Sequence, residues 1–129
     1  MKKILCALFL PLSLSIFSSP CPNSPNCVIS DESDTKHYIE PIKFQNQNIE
    51  SVNKALVQAI KSLDGEIIEN KDNYIKAKFQ SKFFKFEDDA EFYIDKEKKV
   101  IEVRSAAQSG WYDFNVNRKR IEKIRTLIK

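Results

Sequence analysis

The spacing of apolar and polar positions changes period twice along this chain. Between Asn48 and Leu63, the apolar residues Ile49, Val52, Leu56, Ala59, Ile60 and Leu63 recur at i, i+3, i+4 and i+7, which puts one stripe on a helix. Asn48 is a natural N-cap and Asp64-Gly65 a C-terminal stop. From Glu66 the period drops to two. Glu66–Asn70 and Asn73–Ser81 flank Lys71-Asp72 as arms of a hairpin, with Ile75, Ala77 and Phe79 facing one way and Tyr74, Lys76, Lys78 and Gln80 the other. A second hairpin follows. Ala90, Phe92 and Ile94 alternate with Asp89, Glu91, Tyr93 and Asp95; Ile101 and Val103 alternate with Val100, Glu102 and Arg104. One-sided burial allows two registers here, and each seats a carboxylate (Glu91 or Asp89) opposite Arg104. The period then returns to helical from Phe114 or Asn115 to the end, carried by Asn117, Ile121, Ile124 and Ile128. Upstream, His37–Phe44 predicts a first strand, confined to an edge or bulge by Pro41.

The order strand, helix, four strands, helix predicts an α+β domain. A single curved antiparallel sheet with both helices on one face satisfies it, in a TATA-binding-protein-like or helix-grip-like arrangement. That analogy concerns the fold and carries no function.

The N-terminus has a different pattern. Lys2-Lys3 precede an almost wholly apolar run from Ile4 to Phe17, followed by Ser18-Ser19-Pro20. This is the tripartite order of a signal peptide, and about 14 apolar residues fall short of the roughly 20 of a spanning helix. The organisation expected is a signal peptide over 1–19, an arm over 20–36 and one domain over 37–129. Retention as an uncleaved membrane anchor, or lipidation at Cys21, are the other fates of this segment. The protein is therefore expected to be exported and periplasmic or envelope-associated.

Charge supports no nucleic-acid partner. The chain holds 21 Lys+Arg and 18 Asp+Glu; without Lys2 and Lys3 the balance is 19 to 18, so the basic excess belongs mostly to the leader. Cys6 lies in the same leader, which leaves Cys21 and Cys27 as a pair around Pro-Asn-Ser-Pro-Asn. A short-loop disulfide is the first reading of that pair in an oxidising compartment; two free thiols or metal ligands are the alternatives. With one histidine in the chain no zinc site is expected, and no nucleotide, cofactor or hydrolase motif is present. We expect neither cofactor nor metal.

Two polar stretches could carry chemistry. Phe86-Glu87-Asp88-Asp89-Ala90-Glu91-Phe92 holds four acids in a run that either does acid–base work or is a solvated strand entrance. Arg104 to Arg118 joins a strand end, a Trp-Tyr loop and a helix start; here Arg104 and Asp113 either fix the loop while Trp111 caps the core, or leave an anion site beside Arg118.

These stretches resemble one family. Cys21-Pro-Asn-Ser-Pro-Asn-Cys-Val28, His37-Tyr-Ile-Glu-Pro-Ile42, the acidic run 86–92, and Arg104-Ser-Ala106 with Asp113 and Asn117-Arg-Lys-Arg120 look like the ordered signatures of domain-of-unknown-function family 1499. The chain departs from that pattern at Ala107-Gln108, where Ser-Arg is expected, and at Asn115, where Gly is expected. The resemblance implies a bacterial or plastid-type protein, often exported or membrane-linked, with no assigned reaction. It singles out Cys27, His37, Glu40, Asp88, Asp89, Glu91, Arg104, Asp113, Asn117 and Arg118.

Three functions compete. The first is a non-catalytic envelope domain that binds a ligand or partner protein on its sheet or at the loop before the last helix, with Tyr74, Tyr93, Trp111 and Tyr112 as contact aromatics. The second is an enzyme working through Asp88, Asp89, Glu91 and Arg104. The third is a small lipid-binding helix-grip protein, which needs an apolar cavity between sheet and last helix. Membrane association is also expected if the leader is retained.

Overall fold

The computed structural model describes residues 16–46, 48–81 and 84–128, so most of the leader lies outside the described residues. Six strands and two helices follow in the order β1 (Cys27–Ile29), β2 (Ile42–Lys43), α1 (Ile49–Ser62), β3 (Glu66–Lys71), β4 (Tyr74–Gln80), β5 (Glu87–Asp95), β6 (Val100–Ala107) and α2 (Val116–Leu127). The strands form one open antiparallel sheet in the order β1-β6-β5-β4-β3, with β2 also beside β6. The α+β expectation holds. None of the described helices is long and apolar enough to cross a membrane.

Local chemistry explains the limits of α1. The Asn48 side chain accepts from the Glu50 and Ser51 amides at 2.9 and 3.4 Å. At the other end Gly65 N–H donates to the Ile60 carbonyl at 2.9 Å and Asp64 N–H to that of Lys61 at 3.0 Å, the pairing that closes a Schellman turn. The left-handed residue is Asp64, at φ 61°, not the glycine. Gly65 is needed for space, because a Cβ there would lie 2.9 Å from the Ile60 carbonyl oxygen.

The register across β5 and β6 pairs Phe92 with Val103, Ile94 with Ile101 and Glu91 with Arg104, one of the two alignments the alternation allowed. Ile75, Ala77, Phe79, Ala90, Phe92, Ile94, Ile101 and Val103 form one buried cluster with Val52, Leu56, Ala59 and Ile60 of α1 and Ile121 and Ile124 of α2. Both helices therefore cover the same face. Phe92, Val103, Ile121 and Ile124 are all fully buried, so side chains fill the space in which a helix-grip protein would hold a lipid.

Upstream the expectations need correction. His37–Phe44 does not form one strand: only Ile42–Lys43 joins the ladder, and Tyr38 makes a single bridge to Ile29. The carbonyls between are taken by α2 instead. Arg118 donates to Tyr38 O at 3.0 Å, while Arg125 donates to Glu40 O and Pro41 O at 2.6 and 2.7 Å. The arm 20–36 in turn contains a strand that alternation cannot reveal, because Cys27, Val28 and Ile29 are all buried. The second hairpin is also longer than predicted, starting at Glu87 and ending at Ala107.

Candidate functional site

The two faces of the sheet carry different polar groups. On β5 and β6, Asp88 and Ser105 share the parity of Phe92 and Val103 and so face the helices; Asp89, Glu91 and Arg104 face away. The four residues expected to act together are thus divided by the sheet.

On the helix side a chain of polar contacts runs inward from the arm. His37 Nδ1 lies 2.8 Å from Asp34, and its Nε2 donates to Ser24 O at 2.9 Å. Ser24 Oγ donates to Asn26 Oδ1 at 2.7 Å, and Asn26 Nδ2 to Gly110 O at 2.8 Å. Asn117, fully buried, accepts from Ser105 Oγ at 2.7 Å and from Arg120 at 2.9 Å. Asn117 also donates from Nδ2 to Asp113 at 2.9 Å. Arg120 completes the chain with an ion pair to Asp88 at 2.8 Å and lies over the Phe79 ring at 4.2 Å. Asp113 caps α2, accepting from the Asn115 and Asn117 amides at 2.9 and 3.1 Å. His37, Asp88, Asp113, Asn117 and Arg118 thus fasten arm, sheet and α2 together, and each has partners within the chain.

Cys21 and Cys27 are joined in a disulfide. Among the described residues, Cys21, Asp34 and His37 bring potential ligand atoms within 4.8 Å of one another, yet the disulfide leaves Cys21 no thiolate for a metal.

The opposite face is polar and partly covered by residues 16–20. Glu91 accepts from Tyr74 Oη at 2.7 Å, from Ser18 N at 3.2 Å and from Ser18 Oγ at 3.0 Å. Burial and this bond to Glu91 push the Tyr74 hydroxyl well above its ordinary range. Arg104 sits across from Glu91 in register, but among the described residues no ion pair joins them. Its Nη2 donates to Pro20 O at 3.1 Å and its Nε lacks a partner. Burial lowers its pKa, and the nearby charges of Glu91 and Asp89 oppose that shift. The expected Arg104–carboxylate pair is therefore replaced by a carbonyl contact, since Glu91 is already occupied by Tyr74 and Ser18. Gln108, which stands where the resemblance leads one to expect Arg, donates to Asp89 at 3.1 Å. Glu40 is exposed, and its backbone carbonyl accepts from Arg125 of α2.

On the same face, burial raises the pKa of Glu102, and its Oε2 has no partner. A raised carboxyl binds protons in the folded state above its unfolded value, so stability falls as pH rises from about 4.5 through the folded pKa. Glu102→Gln should therefore flatten the pH dependence of Tm in that window and raise Tm at pH 7, as read by thermal melts from pH 4 to 8. An unchanged profile would mean that the carboxyl is solvated.

A third region was only half legible. The β4–β5 loop and the β6–α2 loop meet at one end of the sheet, where Ser81 N–H donates to Phe86 O and Gln108 N–H to Glu87 O, both at 2.9 Å. Phe84, Phe86, Trp111, Tyr112, Phe114 and Val116 are all exposed. Most of them border a groove of ≈ 410 Å³ floored by Ala107, Asp88 and Asp113. Trp111 does not cap the core: it is 66% exposed. Tyr74 and Tyr93, also expected on a contact surface, are half-buried on the sheet.

A profile for a protein family of unknown function, DUF1499, matches residues 18–128. The chain belongs to the DUF1499 family. No curated protein matches it. In this DUF1499 chain the segments that carry the resemblance are those of the polar chain from Asp34 to Arg120. Residues that sequence reasoning passed over are Ser24, Asn26, Ser105 and Arg120, together with Phe84 and Phe114. A signal for one of them existed: Ser105, like Asp88, occupies a core-facing position in an alternating strand, where a polar residue needs a buried partner.

Proposed function

We propose that this DUF1499 domain is an exported, non-catalytic recognition module that binds through the aromatic end of its sheet. The observation that carries this reading is the contrast between the two kinds of site. The polar side chains on the helix side satisfy one another within the fold, whereas five aromatic side chains of two adjoining loops, Phe84, Phe86, Trp111, Tyr112 and Phe114, stand exposed outside the core. The enzyme reading draws no support from the geometry, because Asp88 lies on one face and Asp89, Glu91 and Arg104 on the other. The leader pattern and the Cys21–Cys27 disulfide favour an oxidising envelope compartment as the place of work.

The test is a photo-crosslinking residue at position 112, in the groove, or at position 58, exposed on α1, in cells that make the chain with its own leader. The protein should fractionate with the envelope in oxidised form and form discrete adducts from position 112 only. Cytoplasmic, reduced protein, or identical patterns from both positions, would overturn the reading.

A further inference from the structure

The exposed aromatics are held out by unusual backbone. Lys85, Gly110, Phe114 and Asn115 have φ of 53°, 83°, 56° and 62°, four left-handed residues in two short loops. For a bulky residue such as Phe114 that conformation is a true outlier with a steric cost. Burial in the core does not recover that cost, because Phe114 is 73% exposed. Strain kept without an internal return marks a position used for contact. The rings are arranged in pairs, Phe84 with Phe86 at 5.7 Å and Tyr112 with Phe114 at 5.0 Å between centroids.

Charge decides what the rings would meet. Lys85 lies between Phe84 and Phe86, and Lys119 stands exposed one turn into α2, its N–H on Asn115 O. The carboxylates nearby are engaged: Asp88 by Arg120, Glu87 by Lys78, and Asp113 by the amides of α2. Asp113 keeps its charge but is turned onto the α2 amides, and the exposed charged side chains beside the rings, Lys85 and Lys119, are cationic. Protein–protein interfaces are depleted of Lys at their centres, whereas lysine interleaved with aromatic rings suits the boundary between anionic headgroups and acyl chains.

We propose that this end of the domain docks on an anionic lipid surface, with Phe84, Phe86, Trp111, Tyr112 and Phe114 at the headgroup–acyl boundary and Lys85 and Lys119 on headgroup phosphates. The proposal rests on the recognition surface above and names its partner. Trp111 is the sole tryptophan of the chain, so its emission reports this end and not the apolar leader.

The experiment mixes the full chain with vesicles of phosphatidylcholine alone or with about one quarter phosphatidylglycerol. Trp111 emission should shift to the blue and be quenched by bromine-labelled acyl chains only with the anionic vesicles. Raising salt several-fold should weaken the response, and Lys85→Glu with Lys119→Glu should reduce partitioning by about tenfold. Phe84→Ser with Phe114→Asn should abolish the shift while leaving Tm unchanged or higher, since Asn tolerates the left-handed backbone at position 114. An unshifted Trp111, or a shift that survives in that variant, overturns the lipid proposal. If position 112 then still crosslinks a protein in cells, the recognition surface stands with a protein partner. If it does not, both readings fall.

Discussion

Phe92→Ala should destabilise the domain by about 3–5 kcal/mol, the range for truncating a fully buried aromatic. Phe92 is wholly buried at the middle of β5, opposite Val103 on β6 and Ile75 on β4, and it belongs to the cluster that α1 and α2 close. It is flanked by strands on both sides in a core that α1 and α2 cover, so the cavity cannot collapse by a shift of one element, and the upper half of the range is expected. Urea melts monitored by circular dichroism measure the loss. A loss below about 1 kcal/mol would mean that residue 92 faces solvent and that every neighbour on β5 is inverted with it.

The same alternation explains what the sequence makes legible here. Strands with one face on the core write their register in the chain, and the alignment of Phe92 with Val103 follows from keeping apolar side chains together. Cys27–Ile29 writes nothing, because all three residues are buried and the strand is too short for a period. The stretch 37–44 looks like a strand by composition, yet its carbonyls are claimed by Arg118 and Arg125, partners about 80 residues away that no local pattern announces. Asn115 illustrates a different kind of signal. The family resemblance leads one to expect Gly there, and the backbone is left-handed at φ 62°, a conformation that Asn tolerates better than most residues. The polar residues were found as a set but not as an arrangement. Which face each one occupies depends on parity, and parity places Asp88 with the helices and Asp89, Glu91 and Arg104 beneath residues 16–20. The aromatic end was the least legible part, because exposure of Phe84 and Phe114 is set by loop backbone and not by periodicity.

The Asp88–Arg120 pair is the connection whose loss should matter most among the polar contacts. Both side chains are about nine-tenths buried, and the guanidinium also serves Asn117 Oδ1 and the Phe79 ring. Arg120→Met keeps much of the volume but leaves Asp88 charged and without its donor, an arrangement that costs about 3–5 kcal/mol. Asp88→Asn should cost less, about 1.5–3 kcal/mol, because an amide oxygen can still accept from Arg120 while the charge is lost. The double variant should then lose less than the sum of the singles, by about 0.5–3 kcal/mol of coupling, since the two groups share one contact. Chemical denaturation of the four proteins at a single pH closes this cycle. Additive losses would mean that the pair is solvated in the folded state and that α2 is held to the sheet by its apolar face and its other polar contacts. A coupling confined to stability, with the Trp111 response to anionic vesicles intact in Asp88→Asn, would assign the polar chain to the scaffold and the aromatic end to recognition. If Asp88→Asn folds normally but no longer gives that response, the carboxylate on the groove floor belongs to the binding site as well.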